Sequence, residues 1–156
     1  MLLSLYKVLV ESLIRYGIIV WGGLYNNSLY PLKVVQNYIL KVIHKKNKRY
    51  STMLLYSDEI PNVRSLFVHS SCIFVHKNLK IREYVNHIHE TRSKINKHLI
   101  VPISNTNSQL QSVNYLFPKI YNALPCDLKS ITNIKKFSYS CKMFISSNYQ
   151  KFAGLF

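Results

Sequence analysis

Six side chains in this 156-residue chain could supply carboxylates to a reaction: Glu11, Asp58, Glu59, Glu83, Glu90 and Asp127. Nucleotidyl transfer needs such groups to converge on two divalent metals. No Asp-Asp pair occurs, and the one adjacent pair, Asp58-Glu59, stands just before Ile60-Pro61 in what reads as a turn. A Gly-rich phosphate loop, a Gly-x-Ser-x-Gly elbow and a Gly-Lys-Ser/Thr step are all missing. The acids therefore read as turn and capping residues, and no catalysis is expected from this chain by itself. His69, Cys72 and His76, with His87 and His89 beyond, are a second chemical possibility, because zinc accepts both residue types. Three ligands spread over two turns of one straight helix cannot all reach one ion, so packed or surface residues are expected, with no metal and no cofactor. Cys72, Cys126 and Cys141 share no short spacing, which argues against a disulfide framework and fits a reducing compartment.

Charge is the sharpest global property. Lys and Arg number 21 against six acids, a formal charge of +15 with a pI near 9.8. Such a surplus attracts polyanions, nucleic acid first and an anionic membrane surface second. Codon bias in AT-rich genes also raises Lys, Asn, Ile and Tyr, so composition alone is a competing explanation. Within the chain the cations gather on one segment: Lys33, Lys41 and His44 repeat on one side of a helical pattern that runs into Lys45, Lys46, Lys48 and Arg49. Lysines offer point charges to phosphates, Arg49 and His44 add donors, and Tyr38 and Tyr50 are spaced to stack on bases or pack on sugars. The bland alternative is a solvated helix face.

The elements that must carry these residues follow from periodicity. A first helix is expected over residues 2–21, with Leu2, Tyr6, Leu9, Leu13 and Val20 near one face and Lys7, Glu11 and Arg15 as i,i+4 neighbours on another. Gly17-Ile18-Ile19-Val20-Trp21 also fits a short strand. Gly22-Gly23 should stop the element, and residues 25–28 should form a loop. The second helix should start with Pro31 in its first turn and hold an apolar back of Leu32, Val35, Ile39, Val42 and Ile43. Ser51 should cap a short helix over residues 52–56, and a third long helix should span residues 62–79, with residues 84–89 as a possible extension. His98-Leu99-Ile100-Val101-Pro102-Ile103 is β-branched and short, and reads as a strand followed by a loop over residues 104–112. Helices are expected again over residues 114–124 and 133–149, the last with Ile134, Phe137, Cys141, Phe144 and Ile145 as its apolar face. The fold class is thus mainly α, a bundle-like helical N-terminal part with a small mixed α/β C-terminal part. The divisions fall at residues 1–50, 51–90 and 91–156. The charge-free run over residues 16–31 contains Gly22, Gly23, Asn26, Asn27 and Pro31, so neither a membrane span nor a secretion signal is expected.

Five short stretches occur in an order that resembles the C-terminal end of jockey-type non-LTR retrotransposon reverse transcriptases. Tyr16-Gly17-Ile18-Ile19-Val20-Trp21-Gly22 resembles the YG…WG signature that follows that family's polymerase palm. Gln36-Asn37 through Ile43 resembles the Q-x-x-I-L-K-x-I helix, and Thr91-Arg92-Ser93 and Leu99-Ile100-Val101-Pro102 resemble the TR and L-x-V-P steps. Pro118-Lys119-Ile120-Tyr121-Asn122-Ala123-Leu124-Pro125 resembles the closing PKxYNxLP segment, with Phe117 where the family commonly has Gly. The resemblance implies a thumb over residues 1–50 and a post-polymerase region after it. The fingers, palm and endonuclease of such an enzyme, with its metals, would lie outside this chain. It also implies RNA or an RNA–DNA hybrid as the partner, a polymerase palm beside the thumb, and a nuclear or cytoplasmic setting. Trp21, Leu32, Val35, Ile39 and Val42 would then hold the two thumb helices together. Two other readings stay open: a transposon relic with only a structural helical core, and a peripheral membrane protein that exposes one wide apolar helix face.

Overall fold

Strict repetition every four residues shapes the first element. In the computed structural model, which describes residues 2–57, 59–79, 84 and 91–156, helix α1 covers residues 2–15. It has α-helical turns at Leu2–Leu5 and Ser12–Arg15 and a π-helical stretch, Tyr6–Glu11, between them. Tyr6, Val10 and Ile14 form one row, Leu5, Leu9 and Leu13 another, and Lys7, Glu11 and Arg15 a third. A period of 3.6 drifts off such rows, whereas a turn with i→i+5 bonds winds more slowly and brings each row back into line. Tyr6 and Ile14 are buried, and Glu11 lies inside with Arg15 Nη2 2.7 Å from its Oε1. Of the expected inner face only Tyr6 reaches the core; Leu2, Leu9, Leu13 and Val20 are exposed.

The helix also ends earlier than its apolar pattern suggests. Tyr16 is extended and Gly17 takes the left-handed conformation, φ 68°, which a side chain would strain. Gly17 starts the one-turn helix α2, Ile18–Trp21, so this segment is neither a continuation of α1 nor a strand. Trp21 folds back, and its indole N–H donates to the Tyr16 carbonyl at 3.3 Å. Gly22 lies against the core: a Cβ there would stand 2.4 Å from Phe67 Cδ2.

Helix α3, Asn26–Ile43, begins where a loop was expected, and Pro31 lies inside it rather than in its first turn. Its buried line is Leu29, Gln36 and Leu40, with Leu32, Ile39 and Ile43 half-buried. Val35 and Val42 face solvent, so they do not bind the first two helices together. Gln36 sets this rotation. Its Nε2 donates to Tyr6 Oη at 2.8 Å and to the Pro61 carbonyl at 3.1 Å, while the Tyr56 hydroxyl lies 3.2 Å from its Oε1 and 2.5 Å from Asn37 Oδ1. A buried amide demands partners, and only this face of α3 meets them. Around the network Tyr6, Leu40, Leu55 and Ile60 form a small apolar cluster. Leu55 comes from a 3-10 turn, Thr52–Leu55, which Ser51 precedes without a side-chain cap.

Helix α4, Val63–Lys77, is the central element, capped by Asn62 Oδ1 accepting from the Ser65 N–H at 2.9 Å. Its residues Leu66, Phe67, Val68, Cys72 and Val75 are all but fully buried. They join Ile14 and Ile18 from the N-terminal side, and Leu116, Phe117, Phe137, Ile145 and Phe152 from the C-terminal side, in one cluster. The latter come from α7 (Val113–Asn122), α9 (Ile134–Ser147) and α10 (Tyr149–Ala153). Short helices α5 (Arg92–Ile95), α6 (Asn107–Leu110) and α8 (Cys126–Lys129) connect them. Phe117, where the resemblance expected Gly, is a core residue with its ring edge-on to Phe74 at 5.5 Å.

The expected mixed α/β part at the C-terminus is not supported. Among the described residues there is no strand, and the only pairing is an isolated bridge between Tyr84 and Leu99. Leu99 is extended, but the Asn122 side chain takes both of its main-chain groups, accepting at 2.8 Å and donating at 2.9 Å. One amide thus replaces a neighbouring strand. The suggested helical extension over residues 84–89 falls outside the described residues apart from Tyr84.

Replacing Gln36 with Ala should lower the unfolding free energy by about 2–4 kcal/mol, because Tyr6 and the Pro61 carbonyl lose their donor, Tyr56 is left with Asn37 alone, and the side chain leaves a cavity. Urea denaturation followed by circular dichroism measures this; a loss below about 0.5 kcal/mol would show that the network does not organise the N-terminal helices.

Candidate nucleic-acid interface

The cationic segment forms an exposed ridge at the end of the 18-residue helix α3. Lys33, His44, Lys45, Lys46, Lys48 and Arg49 are exposed and Lys41 is half-buried. Lys33 stands about 12 Å before Lys41 along the axis, at 1.5 Å per residue. The helix closes with paired reverse bonds, Lys46 N–H to the Lys41 carbonyl at 2.8 Å and Lys45 N–H to the Val42 carbonyl at 3.1 Å. This closure needs a left-handed residue, usually Gly; here it is Lys45, at φ 51°. The Lys41 ammonium then donates to the Lys48 carbonyl at 2.5 Å and draws the following loop back over the helix end. Lys46 lies 5.0 Å from the Tyr50 ring centroid, so that ring supports a cation, while Tyr38 is 60% exposed.

Tyr30 belongs to this surface and was missed in the sequence, where residues 25–28 read as a loop and the helix began at Pro31. It is exposed on α3, three residues before Lys33 and eight before Tyr38. That alternation of aromatic and cationic side chains was the available signal.

Several cations elsewhere are held by carbonyl oxygens and rings. Arg64, buried near the start of α4, donates to the Gly22 carbonyl at 2.8 Å, the Leu24 carbonyl at 2.7 Å and Asn26 Oδ1 at 3.0 Å. Its guanidinium also covers the Phe156 ring at 4.2 Å, and burial lowers its pKa. Lys129 reaches the Asn122 carbonyl at 3.3 Å, and Lys151 reaches the Ala123 carbonyl at 2.9 Å, both at the C-terminal end of α7. Among the described residues the two ion pairs are Lys7–Glu59 and Arg15–Glu11, and neither draws on the ridge.

The remaining motif residues are structural. Pro118, Tyr121 and Leu124 are buried, and Pro125 precedes α8. Tyr121 connects to the histidines: its hydroxyl donates to His76 Nδ1 at 3.0 Å, because His76 Nε2 must donate to the Ile131 carbonyl at 2.8 Å. The His76 ring stacks on Phe137 at 3.8 Å. His69 Nε2 is committed to the Ser138 carbonyl at 3.0 Å, and Cys72 is buried beside Cys141 with its thiol pKa pushed well up by desolvation. The three residues therefore serve three separate contacts. Among the described residues no group of three or more His, Cys, Asp and Glu is placed to hold a metal. Asp58, Glu83, His87, His89 and Glu90 lie outside the described residues.

Burial lowers the pKa of His69, His76 and His98. The unfolded chain then binds more protons than the folded one below about pH 6.5, so stability is full above that value and falls as the pH drops toward the folded-state values. The urea midpoint should be lower at about pH 5 than at about pH 7.5; a midpoint that rises on acidification contradicts the burial of these rings. Lys45→Gly should raise stability by about 0.5–1 kcal/mol by relieving the left-handed lysine, while weakening any polyanion binding by the ridge. Opposite signs in melting and binding experiments are the expected result. Compared with known proteins, the chain matches no family model, no curated protein and no solved structure.

Proposed function

We propose that this chain is a non-catalytic, nucleic-acid-contacting region equivalent to the thumb and post-polymerase tail of a jockey-type non-LTR retrotransposon reverse transcriptase. The observation that carries the reading is the α3 ridge. Lys33, Lys41, His44, Lys45, Lys46, Lys48 and Arg49 gather on one helix and its closing loop, and neither ion pair among the described residues neutralises them. A row of cations about 12 Å or more in length, exposed but for the half-buried Lys41, suits a phosphate backbone, and Tyr30 and Tyr38 beside it suit sugars and unstacked bases. The ordered motifs add support, since Gly17, Trp21, Gly22, Gln36, Tyr121 and Asn122 each have a specific structural task. In an intact element the α3 ridge would lie along the template–primer duplex, and the metals and the reaction would belong to the palm. Contact of this kind is independent of sequence and steep in salt.

Fluorescence anisotropy with a labelled RNA–DNA hybrid at two salt concentrations tests the reading. Binding should weaken as salt rises. Changing Lys41, Lys45, Lys48 and Arg49 together to Ala should weaken it further and flatten the slope of log K against log salt by roughly 3. A folded chain that does not bind, or whose affinity ignores salt, would leave the +15 as composition alone.

A further inference from the structure

We propose that the outer face of α1 pairs two copies of this chain. Leu2, Leu5, Val8, Leu9 and Leu13 are between 47% and 74% exposed on α1. Together they present on the order of 500 Å² of apolar side chain, within the range of the largest patch on an ordinary monomer and roughly two thirds of the ~800 Å² that each partner gives to a standard interface. The period-four rows make the face straight. With Tyr6, Val10 and Ile14 turned to the core, Leu5, Leu9 and Leu13 align outside, beside the smaller row Ser4, Val8 and Ser12. A ridge of leucines beside a line of small residues is self-complementary under a two-fold axis, with the large row of one helix seated on the small row of the other.

Charge selects the occupant. In a chain of +15, most surfaces would repel a second copy. The cations on α1 are Lys7 and Arg15, and both are engaged in ion pairs among the described residues, with Glu59 at 3.5 Å and Glu11 at 2.7 Å. The acids of the described N-terminal segment are spent at this place, and the outer rows themselves carry no charge. The face is therefore neutral where the rest is cationic, which suits another neutral apolar face and offers little to an anionic lipid surface or a nucleic acid.

Sedimentation equilibrium of the full chain over a range of micromolar concentrations should give twice the 18.3 kDa monomer mass. The double change Leu9→Gln and Leu13→Gln should return the monomer mass with unaltered circular dichroism. An independent readout is cross-linking: Leu9→Cys with Cys126→Ser should give a disulfide-linked dimer under mild oxidation, whereas Tyr139→Cys in the same background, at an exposed position of α9, should not. A monomer at every concentration overturns the proposal, as does a dimer that survives the glutamine changes or cross-links equally at both positions. Flotation of a monomer with phosphatidylcholine–phosphatidylserine vesicles, lost in the glutamine variant, would overturn it in favour of a lipid surface.

Discussion

Arg64 is a cation sunk into the junction between the first helices and the rest of the chain, and among the described residues it has no carboxylate partner. It neutralises itself on the Gly22 and Leu24 carbonyls, on Asn26 Oδ1 and on the face of Phe156. Those oxygens belong to the segment after α2 and to the first residue of α3, so one side chain fixes where α2 ends and α3 starts relative to α4. The phenyl ring it covers belongs to the last residue, so the same contact holds the other end of the chain against the core. Without it, buried carbonyls would face each other across a gap, each costing about 1–3 kcal/mol. The geometry of α1, α2 and α3 depends on this arrangement.

The contact expresses a general constraint of this composition. With 21 Lys and Arg against six acids, ion pairing cannot serve most of the cations. Several of them sit instead at helix C-termini, where carbonyls lack partners, and over aromatic rings. Lys129 and Lys151 finish α7 in this way, Lys119 sits 5.3 Å from the Tyr115 ring, and even the left-handed residues that close α3 and α5 are lysines, Lys45 and Lys97. The α3 ridge is distinguished by concentration: Lys33, Lys41, His44, Lys45, Lys46, Lys48 and Arg49 fall on one helix and its closing loop, and of these Lys41 and Lys46 have internal contacts.

Helix existence was legible in the sequence where one apolar stripe dominated. The spacing of Val63, Leu66 and Phe67 and of Phe137, Cys141 and Ile145 locates α4 and α9 within about two residues, the usual uncertainty of helix ends, and the Asn62 and Asn133 side chains cap them in the structure. The exposed cations of the ridge were legible for the same reason, since a lysine on a helix face seldom goes inside. What misled the reading was ambiguity of face. Helices α1 and α3 carry Leu, Val and Tyr all around, so several apolar stripes compete, and the one chosen by the 3.6 period lost to the one compatible with Gln36 and Glu11. The apparent strand at residues 98–103 failed differently: an extended segment needs main-chain partners, and a single Asn122 supplied them at Leu99.

The sequence by itself determined the mainly helical class, the positions of the central and final helices, and the uneven distribution of charge. These rest on interactions between residues three or four apart, which the chain carries locally. Tertiary structure alone decided which face of α1 and α3 is buried, where Gly17 breaks the first helix, and that Arg64 and Gln36 go inside. Those outcomes depend on partners 25 to 42 residues away, Pro61 for Gln36 and Gly22 for Arg64, and a buried polar group selects its site only when all its partners are assembled.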